Sequence, residues 1–285
     1  MLVIVGYLVV VGSVLGGYSL HGGNVMALYQ PYELLIIGGG ALGAFIVGNN
    51  VKTLKATFRV LPTLLKGSKY TRTRYMALMA LLYDILTKIR KEGMMSVEAD
   101  VESPAQSAVF GRHPEIAADH HLVEFITDYL RLMVSGNMNP MEIETLMDHE
   151  IDTHHIEGDI PAQAIQKVAD GLPAFGIVAA VMGVVNVMGS VGSPPAVLGV
   201  KIGAALVGTF VGILLAYGFV GPLASLVQQK LEEGTKELQC VKVTLLACLQ
   251  GYAPQIAVEF GRKVLYSTER PTFGELETHV KQKRT

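Results

Sequence analysis

Apolar segments with almost no charge alternate along the chain with long segments rich in charge. Residues 2–20 and 34–51 are nearly continuous apolar runs, and in residues 171–229 the only charged side chain is Lys201. About 20 apolar residues in a helix cross a hydrocarbon core of about 30 Å. The third run is long enough for two such helices, and the Ser-Pro-Pro sequence at 193–195 divides it, because proline cannot continue a helix. The pattern therefore predicts four membrane-spanning helices, the last two forming a hairpin.

The charged segments have the spacing of amphipathic helices. Residues 73–93 and 120–136 repeat apolar side chains every three or four positions, residues 141–160 read as an acidic helix, and no segment gives a strong strand pattern. After Pro222 the helix is expected to leave the membrane and to end in a mobile polar tail at 275–285. The predicted fold is an all-α membrane protein, with four transmembrane helices and a large helical cytoplasmic domain between the second and the third.

These changes of pattern divide the chain into four parts. Residues 1–51 hold the first two spans and residues 52–170 the cytoplasmic helical domain. Residues 171–222 hold spans three and four, which are expected to line an ion path, and residues 223–285 form a cytoplasmic extension and tail. A cleaved signal peptide is the alternative for the first run. It is disfavoured because no Lys or Arg precedes the run and a second apolar run follows at once.

The distribution of Lys and Arg sets the orientation. Seven basic residues and no acid follow span two between positions 52 and 74, whereas the short loops near 21–32 and 190–200 hold no Lys or Arg. Basic residues favour the cytoplasmic side. Both long segments and both termini are therefore predicted to be cytoplasmic. The stretch 52–74 also suits anionic lipid head groups, although the topology signal alone explains it.

Composition excludes several other classes of protein. Half of the residues are hydrophobic, the mean hydropathy is +0.39 and the net charge is −2, so nothing indicates nucleic-acid binding. Cys240 and Cys248 imply neither a disulfide framework nor a metal site and read as small core residues. The histidines of the His154–Asp159 acidic segment are adjacent in sequence and point to different sides of a helix, which makes a poor chelate. We expect no metal and no cofactor.

Glycines in the second span match two motifs. Residues 38–43 fit G-x-G-x-x-G, which would suit a membrane-bound oxidoreductase that binds a nucleotide. The acidic residue expected about 20 positions later is missing. Pairs of glycines four apart explain more, because small residues at that spacing let helices pack closely in lipid. Such pairs are Gly12/Gly16, Gly39/Gly43, Gly199/Gly203 and Gly208/Gly212.

Few side chains in the hairpin could serve an ion. Thr209 lies in the middle of span four, although its hydroxyl could simply bond back to its own helix. Pro173 reads as a helix-start proline and Pro222 as a terminator, and either could instead be a hinge. A carboxylate is the usual group that holds an ion midway, yet Glu33 and Asp170 lie at span ends. If protons cross here, the acid is expected to come from a partner.

Six segments carry a resemblance to a known family: residues 6–18, 28–50, 128–148, 172–185, 207–223 and 251–271. They resemble the bacterial flagellar motor stator protein MotA, with the same spacing over essentially the whole chain. The lateral-flagellar version fits equally well. The resemblance implies a multi-pass protein of the bacterial inner membrane that is not an enzyme. It also implies a ring of five copies around a dimer of the single-span partner MotB, whose aspartate carries the proton.

In that family the complex couples inward proton flow to torque on the rotor switch protein FliG, and so drives motility. Arg90 and Glu98, which flank Gly93, fall where the family's rotor-contacting charges lie. Without the resemblance they would be ordinary solvated charges.

The resemblance also assigns four ion-path positions. Pro173 and Pro222 match the two functional prolines that border the channel, and Thr209 matches the pore-facing threonine. By the same resemblance, Ala180 falls at the position where sodium-driven members of the family have threonine. Because alanine cannot coordinate a cation, protons are expected rather than sodium.

Two further alternatives remain open at this stage. The first is an ExbB-type proton-driven energiser of outer-membrane transport. That resemblance implies a three-span layout, so the four predicted spans argue against it. A passive membrane scaffold would show no ion flux with or without its partner.

Overall fold

The computed structural model describes residues 2–136 and 138–282, and within that range the ordered elements are all helical. The α-helices are α1 (Leu2–Leu20), α2 (Pro31–Val47), α3 (Val51–Val60), α4 (Arg72–Glu92), α5 (Glu98–Glu102), α6 (Ala108–Gly111), α7 (Pro114–Ala117), α8 (His120–Ser135), α9 (Pro140–Met188), α10 (Pro195–Leu214), α11 (Gly221–Leu249), α12 (Pro254–Val264) and α13 (Phe273–Gln282). Short 3₁₀ turns lie at Val25–Leu28, Leu61–Leu65, Met94–Val97 and Pro104–Gln106, and a π-helical segment, Leu215–Val220, joins α10 to α11.

The helices form two compact units. The first, called the span unit, contains the chain up to Gly67 together with Gly158–Gln229. The second, called the amphipathic unit, contains Ser68–Glu157 and the chain from Lys230 onward. Helices α9 and α11 each contribute residues to both units.

Four helical stretches of the described chain are long and apolar enough to cross a membrane, which confirms the four predicted spans. The second span is displaced from the predicted 34–51, because α2 begins at Pro31 and ends at Val47. Proline suits the first turn of a helix, since its missing N–H has no partner there. The side chain of Asn50 accepts a hydrogen bond from the backbone N–H of Thr53 at 2.9 Å and thereby caps the separate helix α3.

Two boundaries differ from the sequence prediction. Span three is not a separate helix, because α9 runs unbroken from Pro140 to Met188 and joins the acidic segment to the span. The tail that was expected to be mobile is helical in α13, with Leu276 buried, while residues 283–285 of the tail lie outside the described residues. Thr272 and Glu275 form a reciprocal capping box there, and its T-x-x-E pattern was readable in the sequence.

The core of the amphipathic unit is built from large side chains and one buried ion cluster. Tyr75, Phe110 and Phe125 are each about 1% exposed, and Cys240 is fully buried, as its interpretation as a core residue predicts. Arg74 makes a forked contact with Glu237: Nε lies 2.6 Å from Oε1 and Nη2 lies 3.0 Å from Oε2. Such paired, hydrogen-bonded geometry is what a buried charge requires.

Candidate ion path at the crossing of the third and fourth spans

Helices α9 and α10 cross through glycines. A Cβ atom added at Gly176 would lie 2.8 Å from the carbonyl oxygen of Gly208 and 3.2 Å from the Cα of Gly212. A Cβ at Gly212 would lie 2.7 Å from the carbonyl oxygen of Leu172. No side chain fits at these separations, so the two backbones are in direct contact. In lipid such close packing replaces the hydrophobic effect as the source of helix association.

One of the four predicted glycine pairs makes this contact. Gly208 and Gly212 pack on α9, whereas Cβ atoms at Gly39 and Gly43 would meet nothing within 4 Å in the described chain. The same is true of Gly12, Gly16, Gly199 and Gly203. In α2 it is Gly40 that is packed, because a Cβ there would lie 2.5 Å from the ring of Phe175. The spacing of the glycines shows which helices carry such a pair, but it does not show which pair packs against another helix.

The structure brings Ala180 and Thr209 to this same crossing. The backbone nitrogen of Ala180 lies 3.2 Å from the Cβ position of Gly208, and the Cα of Thr209 lies 3.4 Å from that of Gly176. Both residues are half-buried. The two predicted ion-path residues therefore lie on opposite helices of one contact.

Pro173 lies near this crossing, but not in the first turn of a helix as the sequence suggested. It is inside α9, next to the buried Leu172 whose carbonyl oxygen faces Gly212. A proline inside a helix removes the hydrogen bond to the carbonyl four residues earlier, here that of Ala169. The α9 backbone is thus weakened where it begins to pack on α10.

Pro222 lies inside the continuous helix and does not end it. It follows the π-helical segment Leu215–Val220, in which the Gly221 N–H bonds back five residues to the carbonyl of Ala216. Because Pro222 has no N–H, the carbonyl of Gly218 loses its α-helical partner, and a π bulge is one way in which a helix adjusts. The hydroxyl of Tyr7 on α1 donates to the carbonyl of Phe219 at 3.0 Å and stacks its ring there, so α1 holds the irregular turn.

Glu33 was missed as a candidate. It lies in the first turn of α2, as expected, but its Oε2 is 3.2 Å from the Cβ position of Gly208 and its Oε1 is 3.5 Å from that of Gly183. Gly208 lies thirteen residues after Pro195, which is about 20 Å along α10 at 1.5 Å per residue. Spans three and four themselves contain no carboxylate, as expected, but the structure places one from the first turn of α2 against their crossing. The sequence gives the position of Glu33 along α2. It does not give its position relative to Gly208, because that depends on where α10 begins.

The predicted rotor-contacting residues are in the amphipathic unit. Arg90 in the last turn of α4 and Glu98 at the start of α5 are both exposed, on either side of Gly93, whose φ of +89° favours glycine. Within the described residues neither has an oppositely charged partner within 4.0 Å. Glu98 also lines a groove of about 400 Å³ together with Met95 and Arg131. Glu98 therefore lies in an open groove, and Arg90 lies on the exposed surface on the other side of Gly93.

The glycine motif at 38–43 lies in the interior of α2. A nucleotide-binding motif of this type needs a strand before it and a helix N-terminus directed at the phosphates. In the described chain a 3₁₀ turn and not a strand precedes α2, and the motif lies past the helix start, so the structure removes the support for the oxidoreductase alternative. Among the described residues no group of three or more His, Cys, Asp or Glu side chains is arranged to hold a metal ion.

Comparison with known proteins gives matches along the whole chain. A family model for the N-terminal part of motility protein A matches residues 4–93, and one for the MotA/TolQ/ExbB proton channel family matches residues 117–240. Motility protein A of Salmonella typhimurium is 58% identical over 284 residues, covering 100% of this chain and 96% of the relative. Chemotaxis protein LafT of Vibrio parahaemolyticus is 38% identical over 272 residues, covering 95% of each.

Solved structures show the same fold. The MotAB structure from C. jejuni matches with a TM-score of 0.78 at 20% identity, covering 95% of this chain and 98% of that one. The MotAB stator complex from Bacillus subtilis matches with a TM-score of 0.76 at 21% identity and the same coverage. The full-length identity to the enterobacterial sequence and the two family models agree, and the chain belongs to the motility protein A family.

Proposed function

We propose that this chain is a stator subunit of the bacterial flagellar motor, which forms a proton-conducting complex with a MotB-type partner and couples inward proton flow to torque. The observation that carries the proposal is the 58% identity to motility protein A over the full length of the chain. The crossing of α9 and α10, with Ala180 and Thr209 on its two sides, supplies the site. An ExbB-type energiser is not favoured, because four spans and this identity argue against it.

The assembly is proposed from the family. Five copies of this chain surround a dimer of the single-span partner in the inner membrane, with both termini in the cytoplasm. The partner's aspartate carries the proton, and the rotor protein FliG meets Arg90 and Glu98. The basic stretch 52–74 lies on the side where anionic head groups attract it.

Free energy limits what each proton can do. One elementary charge that falls through 100 mV releases about 2.3 kcal/mol. Several protons per cycle are therefore enough to move a helix bundle that is held to the rotor by weak surface charges. When the partner's acid is protonated, a charge disappears from the membrane, and a different helix pair of the ring then suits it best. Pro173 and Pro222 would let α9 and the continuous helix of span four bend in response.

The ion is proposed to be a proton. Ala180 has no side-chain oxygen, so the position where sodium-driven relatives have threonine cannot coordinate Na⁺ here. A non-motile stator mutant that expresses this chain with its partner should swim equally well in sodium-free potassium buffer and in sodium buffer. Swimming that depends on sodium would reverse the assignment of the ion, and a failure to swim in either buffer would overturn the function.

The role of Pro173 can be separated from assembly. Replacing Pro173 with Ala restores the helical hydrogen bond to Ala169, and we expect complexes that assemble around the rotor but do not turn it. Fluorescent stator units counted at the motor give assembly, and a tethered-cell assay gives torque. Normal torque at high load would refute a gating role for the proline.

The rotor contact predicts charge compensation. Reversal of Arg90 to Glu should reduce swimming, and reversal of an opposing rotor charge should partly restore it. Because exposed pairs are individually weak, at about 0.2–1 kcal/mol, each single reversal should slow rather than stop the motor. If no rotor charge reversal in any pairing restores speed, the contact is not electrostatic.

A further inference from the structure

We propose that Glu33 is a proton-binding group of the ion path, a second carboxylate that this chain supplies in addition to the partner's acid. The inference rests on the proposed function and goes beyond it, because it places a titrating side chain of this chain at the crossing of α9 and α10. The carboxylate takes up a proton that arrives from the side of the 189–194 turn and releases it toward the partner's acid, so one O–H bond forms and later breaks.

The first observation is the state of the carboxylate itself. Glu33 as a residue is half-buried, but its Oε2 is fully enclosed and has no hydrogen-bond partner among the described residues. A carboxylate anion enclosed without a donor is costly, whereas its protonated form is far less so. Ionisable side chains inside a membrane span are rare and lie on ion or proton pathways. The site therefore suits a group that is neutral for part of a cycle.

The second observation is that the surrounding helices make room for this side chain. A Cβ at Gly208 would lie 3.2 Å from Oε2, and a Cβ at Gly183 would lie 3.5 Å from Oε1. The two glycines come from α10 and α9, so the carboxylate reaches the contact between spans three and four from α2. The same glycine position is 3.2 Å from the backbone nitrogen of Ala180, and Thr209 is the next residue along α10. The carboxylate and the two candidate ion-path residues thus share one crossing.

The third observation is that, among the described residues, no charged side chain forms an ion pair with Glu33. Lys201 is on the same face of α10, because positions 201, 205 and 208 follow helical spacing. Its Nζ donates to Ser190 Oγ at 2.6 Å, and within the described residues it forms no ion pair with Glu33 within 4.0 Å. α1 and residues 171–188 of α9 contain no Asp, Glu, Lys or Arg. The titratable hydroxyls on α1 belong to Tyr7 and Tyr18, and that of Tyr7 bonds to Phe219.

Lys201 completes the electrostatic picture. It lies two helical turns from Gly208 toward the 189–194 turn, which is the outer turn in the proposed topology. Within the described residues Lys201 bonds to Ser190 and forms no ion pair with Glu33 within 4.0 Å, so no ion pair has to break when the carboxylate gains or loses a proton.

The test compares Glu33→Gln with Tyr32→Phe in the complete complex of this chain with its partner. Glutamine keeps the size of the side chain and removes only the titration. Tyr32 is the preceding residue and is 80% exposed, so its variant controls for changes in this turn. Proton uptake into energised vesicles and swimming of the complemented strain should both fall at least tenfold for Glu33→Gln and stay within twofold for Tyr32→Phe. Glu33→Asp, which keeps an acid, should retain part of the flux.

Wild-type flux decides which idea has failed. If the wild-type complex neither conducts protons nor restores swimming, the proposed function fails. If it does and Glu33→Gln behaves like wild type, only the Glu33 inference is overturned.

A chemical readout covers the case in which Glu33→Gln does not assemble. Dicyclohexylcarbodiimide reacts with protonated carboxyl groups in apolar surroundings, and peptide mass spectrometry locates the adduct. We expect Glu33 of the wild-type complex to be labelled, with less label as the pH rises. The absence of label at every pH would overturn the inference.

Discussion

The two units of this chain are helical throughout their described residues, yet different forces hold their helices together. In the span unit, α9 and α10 meet through Gly176, Gly208 and Gly212, with backbones in contact. In the amphipathic unit, aromatic side chains fill the core, and the forked Arg74–Glu237 pair joins α4 to α11. In lipid, helices gain nothing from burying apolar surface, so their association depends on how closely their shapes fit. In water, apolar burial and paired charges hold helices together. The smallest disruptive change should therefore be one carbon atom in the first unit and one charge in the second.

The largest effect is expected from Gly212→Leu in the span unit. A Cβ alone would lie 2.7 Å from the Leu172 carbonyl oxygen and 2.9 Å from the Gly176 Cα, and backbone atoms cannot step aside. Overpacking costs about 1–3 kcal/mol where side chains can adjust. Here the contacting atoms are backbone atoms, so the two helices would have to separate and the whole crossing would be lost. We expect the variant not to accumulate in membranes, measured by immunoblot of the membrane fraction and by thermal unfolding in detergent.

Gly199→Leu is the matched control on the same helix. A Cβ there meets nothing within 4 Å in the described chain, so this variant should accumulate as wild type does. Equal accumulation of the Gly212 and Gly199 variants would show that close backbone contact does not hold the span unit together.

A smaller but still large effect is expected from Arg74→Met in the amphipathic unit. The change leaves Glu237, only 3% exposed, as an uncompensated buried charge. Breaking a buried pair costs about 3–5 kcal/mol, and replacing both partners with apolar residues costs much less. Thermal unfolding of the purified full-length protein, followed by circular dichroism, should show a large loss for Arg74→Met and a recovery when Glu237→Leu is added. If the double variant is less stable than the single one, the charge is not what matters.

The sequence predicts the spans well because the signal is local. Residues 2–20 and 171–229 are so apolar that only a membrane helix fits them, and a Ser-Pro-Pro turn is readable without a partner. The sequence does not predict that α9 continues past residue 170. The acidic helix and the apolar helix after it have the same helical phase, so the sequence does not indicate whether they form one helix or two. The sequence consequently placed Pro173 at the start of a helix, whereas it lies in the interior of a continuous one.

The candidate site was predictable only in part, for the same reason. Thr209 was found as a polar residue in the middle of span four, Ala180 came from a resemblance, and the structure places both at one crossing. Glu33 could not be found by reading its own span, because its position relative to Gly208 depends on where α10 begins. Which glycine pair is packed likewise depends on the helix opposite, which spacing along one helix does not specify.

Acid should weaken the amphipathic unit through Asp119, by less than the loss of Arg74. Burial acts to raise the pKa of Asp119, but the hydrogen bond from Lys69 and the charges of Lys69 and Arg74 outweigh it, so the pKa lies below its ordinary value of 3.8. A carboxyl group whose pKa is lowered by folding stabilises the folded state fully above the unfolded pKa, and this contribution is lost as the pH falls through the folded pKa. The unfolding temperature should drop as the pH falls below about 4.

Asp119→Asn tests this assignment directly. The variant has already lost the charge, so it should be less stable than wild type at neutral pH and should lose less on acidification. A wild-type and a variant curve that fall in parallel would mean that another carboxyl group dominates the acid response.

The smallest effect is expected from Arg72→Met, two residues from Arg74 in the same first turn of α4. Arg72 pairs with Glu275, but its side chain is 46% exposed, whereas that of Arg74 is 10% exposed. Both partners of an exposed pair remain hydrated, and salt screens their attraction further. The variant should lose far less stability than Arg74→Met, and the loss should vanish in about 1 M salt, at which the screening length is about 3 Å. Glu275 still caps α13 through Thr272, so that helix should persist. If Arg72→Met is as costly as Arg74→Met, burial is not what makes a charge important in this unit, and the contrast with the glycine crossing would have to be drawn on other grounds.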